Sequence, residues 1–230
     1  MKIRKSFLAA LVTLSFGVLS ATAEPLFNGK DLSGWAVDVV KADNNPDIQP
    51  SFIVRDGFLV CLGKPMGYLI TQKSFKDYKL TCEYRFPRKA GDGGLLVHVS
   101  KLRVYEGAQP QSIEVQMLSG HAGDFWCIGE NIEVPNMEKR RPRDEGQAFG
   151  GSEKDARHIF NLTDNSEKKL GEWNTMVIEC RGDEVKVWVN GDLVNHGSKS
   201  TVTQGKIAIQ AAGTEIEFKK LDLEPLPEKQ

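Results

Sequence analysis

The chain has 230 residues, 40% of them hydrophobic and 27% charged, with a formal net charge of −1. Three of the 30 Lys and Arg but none of the 31 Asp and Glu fall in the first 23 residues, so the remainder is mildly acidic. That balance argues against nucleic acid as a partner.

Residues 1–23 read as a secretory signal peptide. Lys2, Arg4 and Lys5 make a positive start, Phe7 to Leu19 is largely apolar, and Ala21, Thr22 and Ala23 supply small residues at a cleavage position before Glu24. The apolar stretch is short for a membrane span, which needs about 20 residues. No cysteine follows the cleavage point, so no lipid anchor or other membrane attachment is expected. The product is expected to be exported, to the periplasm or the exterior, with residues 24–230 forming one domain.

The elements that follow are short alternating runs broken by Gly, Asn, Asp and Pro. Phe52–Gly63 reads as two strands around an Asp56-Gly57 turn, and Gly67–Gln72 as a third. In Tyr78–Phe86, Leu80, Cys82, Tyr84 and Phe86 alternate with Thr81, Glu83 and Arg85. In Gly94–Ser100, Leu95, Val97 and Val99 form the apolar phase, with Leu96, His98 and Ser100 opposite. Ser112–Met117 follows, with Glu114 and Gln116 between Ile113, Val115 and Met117.

Ser119–Leu170 breaks the rhythm, and a long irregular segment in a compact domain is usually functional or disordered. Within it, Lys139, Arg140, Arg141 and Arg143 read as a solvated basic loop. Trp173–Asn195 then gives a strand, a turn at Gly182-Asp183, a second strand and an Asn190-Gly191 hairpin; two closing strands follow. Many short strands at this spacing indicate an all-β protein, an antiparallel β-sandwich. Cys61, Cys82, Cys127 and Cys180 show no CxxC spacing, so a zinc knuckle has little support, and they read as buried thiols or as a bridged pair. Asp43–Asp47 reads as a polar turn rather than a calcium loop, and no dinucleotide-binding fingerprint is present.

If the strands bearing Glu83 and Arg85, His98, and Glu114 and Gln116 are neighbours, these side chains share one face. Such a face is either a catalytic surface or a solvated one laced with weak cross-strand ion pairs. Asp124 and Trp126, in Gly123–Trp126, stand at the rim of the irregular segment, where the indole suits the C–H face of a sugar.

The ordered set Leu26–Trp35, Tyr78–Phe86, Gly91–Val99, Ile113–Met117, Gly123–Trp126, Gly171–Cys180, Val189–Asn195 and the run from Gly205 to Leu226 resembles the 3-keto-disaccharide hydrolase family. The resemblance implies a concanavalin A-like jelly roll acting on sugars oxidised at C3. The implied activity is that of a 3-keto-glycoside lyase, hydratase or hydrolase, fed by a separate sugar 3-dehydrogenase. Family members often carry Arg where this chain has His98 and an acidic or other polar residue where it has Ala212.

On this reading Glu114, His98 and Glu83 are the candidate catalytic residues, and Arg85, Gln116, Asp124 and Trp126 the candidate substrate-binding ones. Glu114 would act as base or acid, and His98 would move a proton or ligate a metal. Arg85, Gln116 or a metal would stabilise an enolate oxygen. The sequence requires no cofactor and leaves a divalent metal open. Two alternatives also stay open: a conventional glycoside hydrolase, with Glu83 as second carboxylate because position 116 is an amide, and a non-catalytic carbohydrate-binding module.

Overall fold

The computed structural model describes residues 22–228, and the signal-peptide reading falls almost wholly outside them. The strands are β1 (Glu24–Pro25), β2 (Trp35–Asp38), β3 (Phe52–Arg55), β4 (Phe58–Cys61), β5 (Gly67–Thr71), β6 (Phe75–Lys76), β7 (Tyr78–Arg85) and β8 (Gly93–Tyr105). They continue with β9 (Gln109–Gln116), β10 (Phe125–Ile128), β11 (His158–Ile159), β12 (Asn174–Arg181), β13 (Glu184–Val189), β14 (Asp192–Gly197), β15 (Gln204–Ala211) and β16 (Ile216–Pro225). One short helix, α1 (Met137–Arg140), lies in the irregular segment.

Two eight-stranded antiparallel sheets face each other. The back sheet runs β14-β13-β12-β7-β16-β4-β3, with β1 beside β16; the front sheet runs β11-β10-β9-β8-β15-β5-β2, with β6 beside β15. The core lies between them. Leu80, Cys82, Tyr84, Met176 and Ile178 from the back meet Leu95, Val97, Ile113, Val115 and Ile209 from the front in one buried cluster. Strict alternation places these residues inward, since successive strand side chains point to opposite faces. β7 and β12 show it directly, each alternating buried and half-buried along its length.

The turn chemistry acts as its residues dictate. Asp56 and Gly57 both have positive φ (54° and 79°), as do Asn190 and Gly191 (51° and 97°). Two-residue hairpins between right-twisted strands need that conformation. All four cysteines are free and buried.

Three expectations are corrected. First, β7 lies in the back sheet between β12 and β16, whereas β8 and β9 lie in the front sheet. The chain crosses between sheets after Arg85, so Glu83 and Arg85 cannot share a face with Glu114. Second, His98 leaves the outward phase. Its φ is +56°, and the ladders to β9 and β15 both shift register beside it. One extra residue in a strand reverses the phase beyond it. Val99 therefore joins an outer apolar cluster with Tyr68, Ile70, Leu96, Ile128 and Ala208, while His98 turns into the core, edge-on to Tyr78 at 5.6 Å. Third, the basic loop is not wholly solvated. Arg141 is fully buried, donating to the carbonyls of Ala156 (2.6 Å) and Gly150 (2.5 Å) and to Asn131 Oδ1 (2.7 Å). Arg140 is buried too, donating to the Phe160 carbonyl at 2.8 Å and to Asn195. The irregular segment is folded around these guanidinium groups, whose five fixed donors suit clustered backbone carbonyls.

Candidate active site

The outer face of the front sheet holds the site. Pairing sets Trp126 opposite Glu114 and Glu114 opposite Leu96 in one row, and Gln116 opposite Gly94 and Gly94 opposite Gln210 in the next. Glu114 and Gln116 alternate outward, as their sequence pattern requires, yet both are buried. The reason is a cavity of about 250 Å³ over them, lined also by Asp92, Gln109, Trp126, Ile128, Arg157 and Gln210. The outward face is therefore covered rather than solvated.

Its walls come from separate parts of the chain. Arg157 and Trp126 are supplied by the folded irregular segment, with the Arg157 guanidinium 5.7 Å from the indole centre. Asp92 comes from the crossover between β7 and β8. Gln109 starts β9, after a β8–β9 hairpin that folds Tyr105 against the outer apolar cluster. Arg103 ties that hairpin to the far edge of the sheet, donating to Asp38 at 2.8 Å through Nε and pairing also with Asp43 of the polar turn.

Glu114 sits in an opening made by its neighbour. A Cβ on Gly94 would stand 2.1 Å from Glu114 Oε1 and 2.8 Å from its carboxyl carbon. Only glycine at 94 lets the carboxyl lie where it does. No described residue donates a hydrogen bond to that carboxyl, so burial works against its charge with little to offset it. Burial first, and the nearby Asp92 second, push the Glu114 carboxyl up to about 8, although Arg157 pulls the other way. Burial also raises Asp92, opposed by the Gly93 backbone amide. Gln116 Nε2 donates to Asp92 Oδ1 at 2.8 Å, which fixes the amide between the two acids. Gln210 Nε2 donates to the Tyr68 hydroxyl at 3.3 Å.

The residues singled out from the sequence thus separate. Glu114, Gln116 and Trp126 come together around the cavity. Asp124 lies on the same face but is fully covered. One of its carboxylate oxygens is 2.6 Å from His158 Nε2, and the other accepts from the Asn161 amide at 2.7 Å. It orients His158, whose ring stacks on Trp126 at 4.8 Å and 8°. Asp124 therefore holds the indole's support in place and is not itself available to a substrate.

His98 is in the core, with Nδ1 3.3 Å from the Val202 carbonyl, and desolvation lowers its pKa to about 4. It can neither shuttle a proton to the cavity nor ligate a metal there. Glu83 is bound to Lys219 at 2.5 Å and Arg85 to Glu217 at 2.7 Å, both on the back sheet's outer face. Arg85 also lies over the Trp173 ring, 4.5 Å from its centre. Among the described residues no three His, Cys, Asp or Glu gather as a metal site.

Asp92, Gln109, Arg157 and Gln210 escape a strand-by-strand reading because they reach the cavity from four distant segments. Only Asp92 leaves a trace in sequence, as the single acid inside the glycine run Ala90–Gly94.

A two-sheet jelly roll with two carboxyls, amides and an indole on one covered face belongs with the carbohydrate-active proteins. Residues 22–224 match the model of the 3-keto-alpha-glucoside-1,2-lyase-like domain, and the chain belongs to that family. Among solved structures it is similar to a protein from Parabacteroides distasonis assigned as a glycosyl hydrolase, at 21% identity and a TM-score of 0.59 over 88% of this chain and 93% of that one. It is also similar to the catalytic domain of a Thermotoga petrophila endo-1,3-β-glucanase (13% identity, TM-score 0.52, 91% and 100% covered). A third likeness is to the carbohydrate-binding module CBM66 of Bacillus subtilis (12%, 0.51, 83% and 95%). At these identities the likeness is one of fold. No curated protein matches the chain.

Proposed function

We propose that the protein is an exported enzyme that cleaves 3-keto-glycosides by β-elimination and hydrates the product, with Glu114 as the base. The observation that carries this is the Glu114 carboxyl, buried beside Asp92 without a hydrogen-bond donor and raised to about 8. A base near that value is far better matched to a carbon acid than an ordinary carboxylate.

The chemistry follows from the ketone. A carbonyl at C3 acidifies the C2 hydrogen. Glu114 takes that proton, and the C2–H electron pair becomes the enolate. The enolate collapses, C1=C2 forms, and the C1–O bond breaks with its electrons on the departing oxygen. Asp92, whose carboxyl burial also raises, would protonate that oxygen. Donors on Gln116, Gln210 and Arg157 line the same cavity, where an oxyanion at C3 would be stabilised in low dielectric. Water then adds across C1=C2, with hydroxyl to C1 and a proton returned to C2. The ketone would be supplied by a separate sugar 3-dehydrogenase.

One observation favours a second reading. Glu114 and Asp92 are two carboxyls in one cavity, the equipment of a conventional glycosidase. The two differ in what they demand of the substrate. Purified protein should cleave a 3-keto-α-glucoside and leave the unoxidised sugar intact, with turnover reduced about 10²–10⁴-fold in Glu114→Gln. Cleavage of the unoxidised sugar would establish the glycosidase. Binding without turnover of either, unchanged in Glu114→Gln, would establish a binding module.

A further inference from the structure

Beyond the Glu114 cavity the same face of the front sheet continues. Gln210 and Tyr68 are paired, and Ala211 pairs with Gly67, so the next residues in phase are Ala212 and Met66. These two line a second cavity of about 490 Å³, with Ile48 and Pro65 completing an apolar floor and Lys41 and Lys64 at its rim. Gln210, bonded to Tyr68, lines the first cavity, and Ala212, two residues on along the same face, lines the second.

Both rim lysines are without an ion pair. Neither has a carboxylate within ion-pair distance among the described residues, so both charges are open to an anionic ligand. The carboxylates nearest Lys41 in sequence, Asp38 and Asp43, are both taken by Arg103. Met66 is 59% exposed. An apolar floor with a few convergent charges is the usual make-up of a small-molecule site, and here the free charges are both positive.

The geometry points to an aglycone site for an aromatic group bearing a carboxylate, joined through C1 to the sugar in the Glu114 cavity. The inference rests on the 3-keto-glycoside reading for its chemistry and on the second cavity alone for its ligand. The ring would lie on Met66, Ile48, Pro65 and Ala212, and the carboxylate between Lys41 and Lys64. Elimination would break the C1–O bond and release a phenolate, which needs little help from an acid.

The test compares para-carboxyphenyl and phenyl 3-keto-α-glucosides. The carboxylated compound should show a KM about three- to tenfold lower, since each exposed charge pair contributes modestly. That ratio should fall to unity in the Lys41→Met/Lys64→Met double variant and in about 1 M NaCl, where screening extends to about 3 Å. A ratio of one in the native protein, or one that survives in the double variant, would overturn the aglycone site. Equilibrium binding of unoxidised para-carboxyphenyl α-glucoside to the Glu114→Gln protein reads the site without catalysis. Lysine-dependent binding without any ketosugar turnover would sink the reaction and leave the site standing; lysine-independent binding would sink the site.

Discussion

On the back sheet, Glu83 and Arg85 of β7, Glu217 of β16, Arg55 of β3 and Glu215 just before β16 each meet an opposite charge within 3 Å. On the outer face of the front sheet, Glu114 and Asp92 share a cavity, and Glu114 meets no hydrogen-bond donor among the described residues. Both faces arise from the same alternation of apolar and polar residues. The first is a half-exposed lattice of ion pairs that neutralise one another; the second holds acids whose ionisation burial opposes. The difference teaches that a polar strand face becomes a site when something covers it and leaves its charges without partners. Here the cover is the folded segment carrying Trp126 and Arg157, and the hairpin tied down by Arg103.

The comparison can be broken most sharply through pH. The folded protein binds a proton at Glu114 more tightly than the unfolded chain does. Its stabilising contribution is therefore complete below the ordinary value of 4.5 and lost as pH rises through about 8. At about 1.4 kcal/mol per unit the loss is on the order of a few kcal/mol. Thermal unfolding from about pH 5 to about pH 9 should show native stability falling more steeply than that of Glu114→Gln. Parallel curves would mean that Glu114 ionises normally.

A smaller effect is expected from Gly94→Ala. The added Cβ meets the Glu114 carboxyl, so the carboxyl must move while the strand keeps its pairing. A displacement of this size should lower kcat about 10–100-fold with the melting temperature little changed. Undiminished kcat would show that the position of Glu114 over Gly94 is immaterial.

The smallest effect belongs to the other face. Arg85→Met removes one partner of Glu217, which keeps Arg55 at 2.9 Å. Stability measured by denaturant should drop by about 1 kcal/mol or less, and ketosugar turnover should hold. A large loss of activity would return Arg85 to the site.

Much of the sandwich was legible in the sequence. The alternation of Tyr78–Arg85 and Asn174–Arg181, and the hairpins at Asp56-Gly57 and Asn190-Gly191, are local signals that the fold obeys. Glu114 and Gln116 are readable as a pair by the same alternation, whereas Trp126 is readable only as an indole at the rim of the irregular segment. The sheet that β7 joins was not, because strand order is a long-range property and alternation looks the same in either sheet. His98 shows a second limit. A one-residue bulge at a non-glycine with positive φ reverses the phase, and no residue nearby announces it. Arg140 and Arg141 show a third: their partners are carbonyls of residues far along an irregular segment, invisible to any reading of charge runs.

The central claim is that Glu114 removes the proton from C2 of a 3-keto sugar. The most direct measurement uses 3-keto-1,5-anhydroglucitol, which has the ketone but no leaving group, in deuterium oxide. The account predicts that the protein catalyses exchange of the C2 hydrogen, followed by NMR, and that Glu114→Gln abolishes it. Exchange that persists in Glu114→Gln, or cleavage of a 3-keto-glucoside by a protein that exchanges no C2 hydrogen, would contradict it.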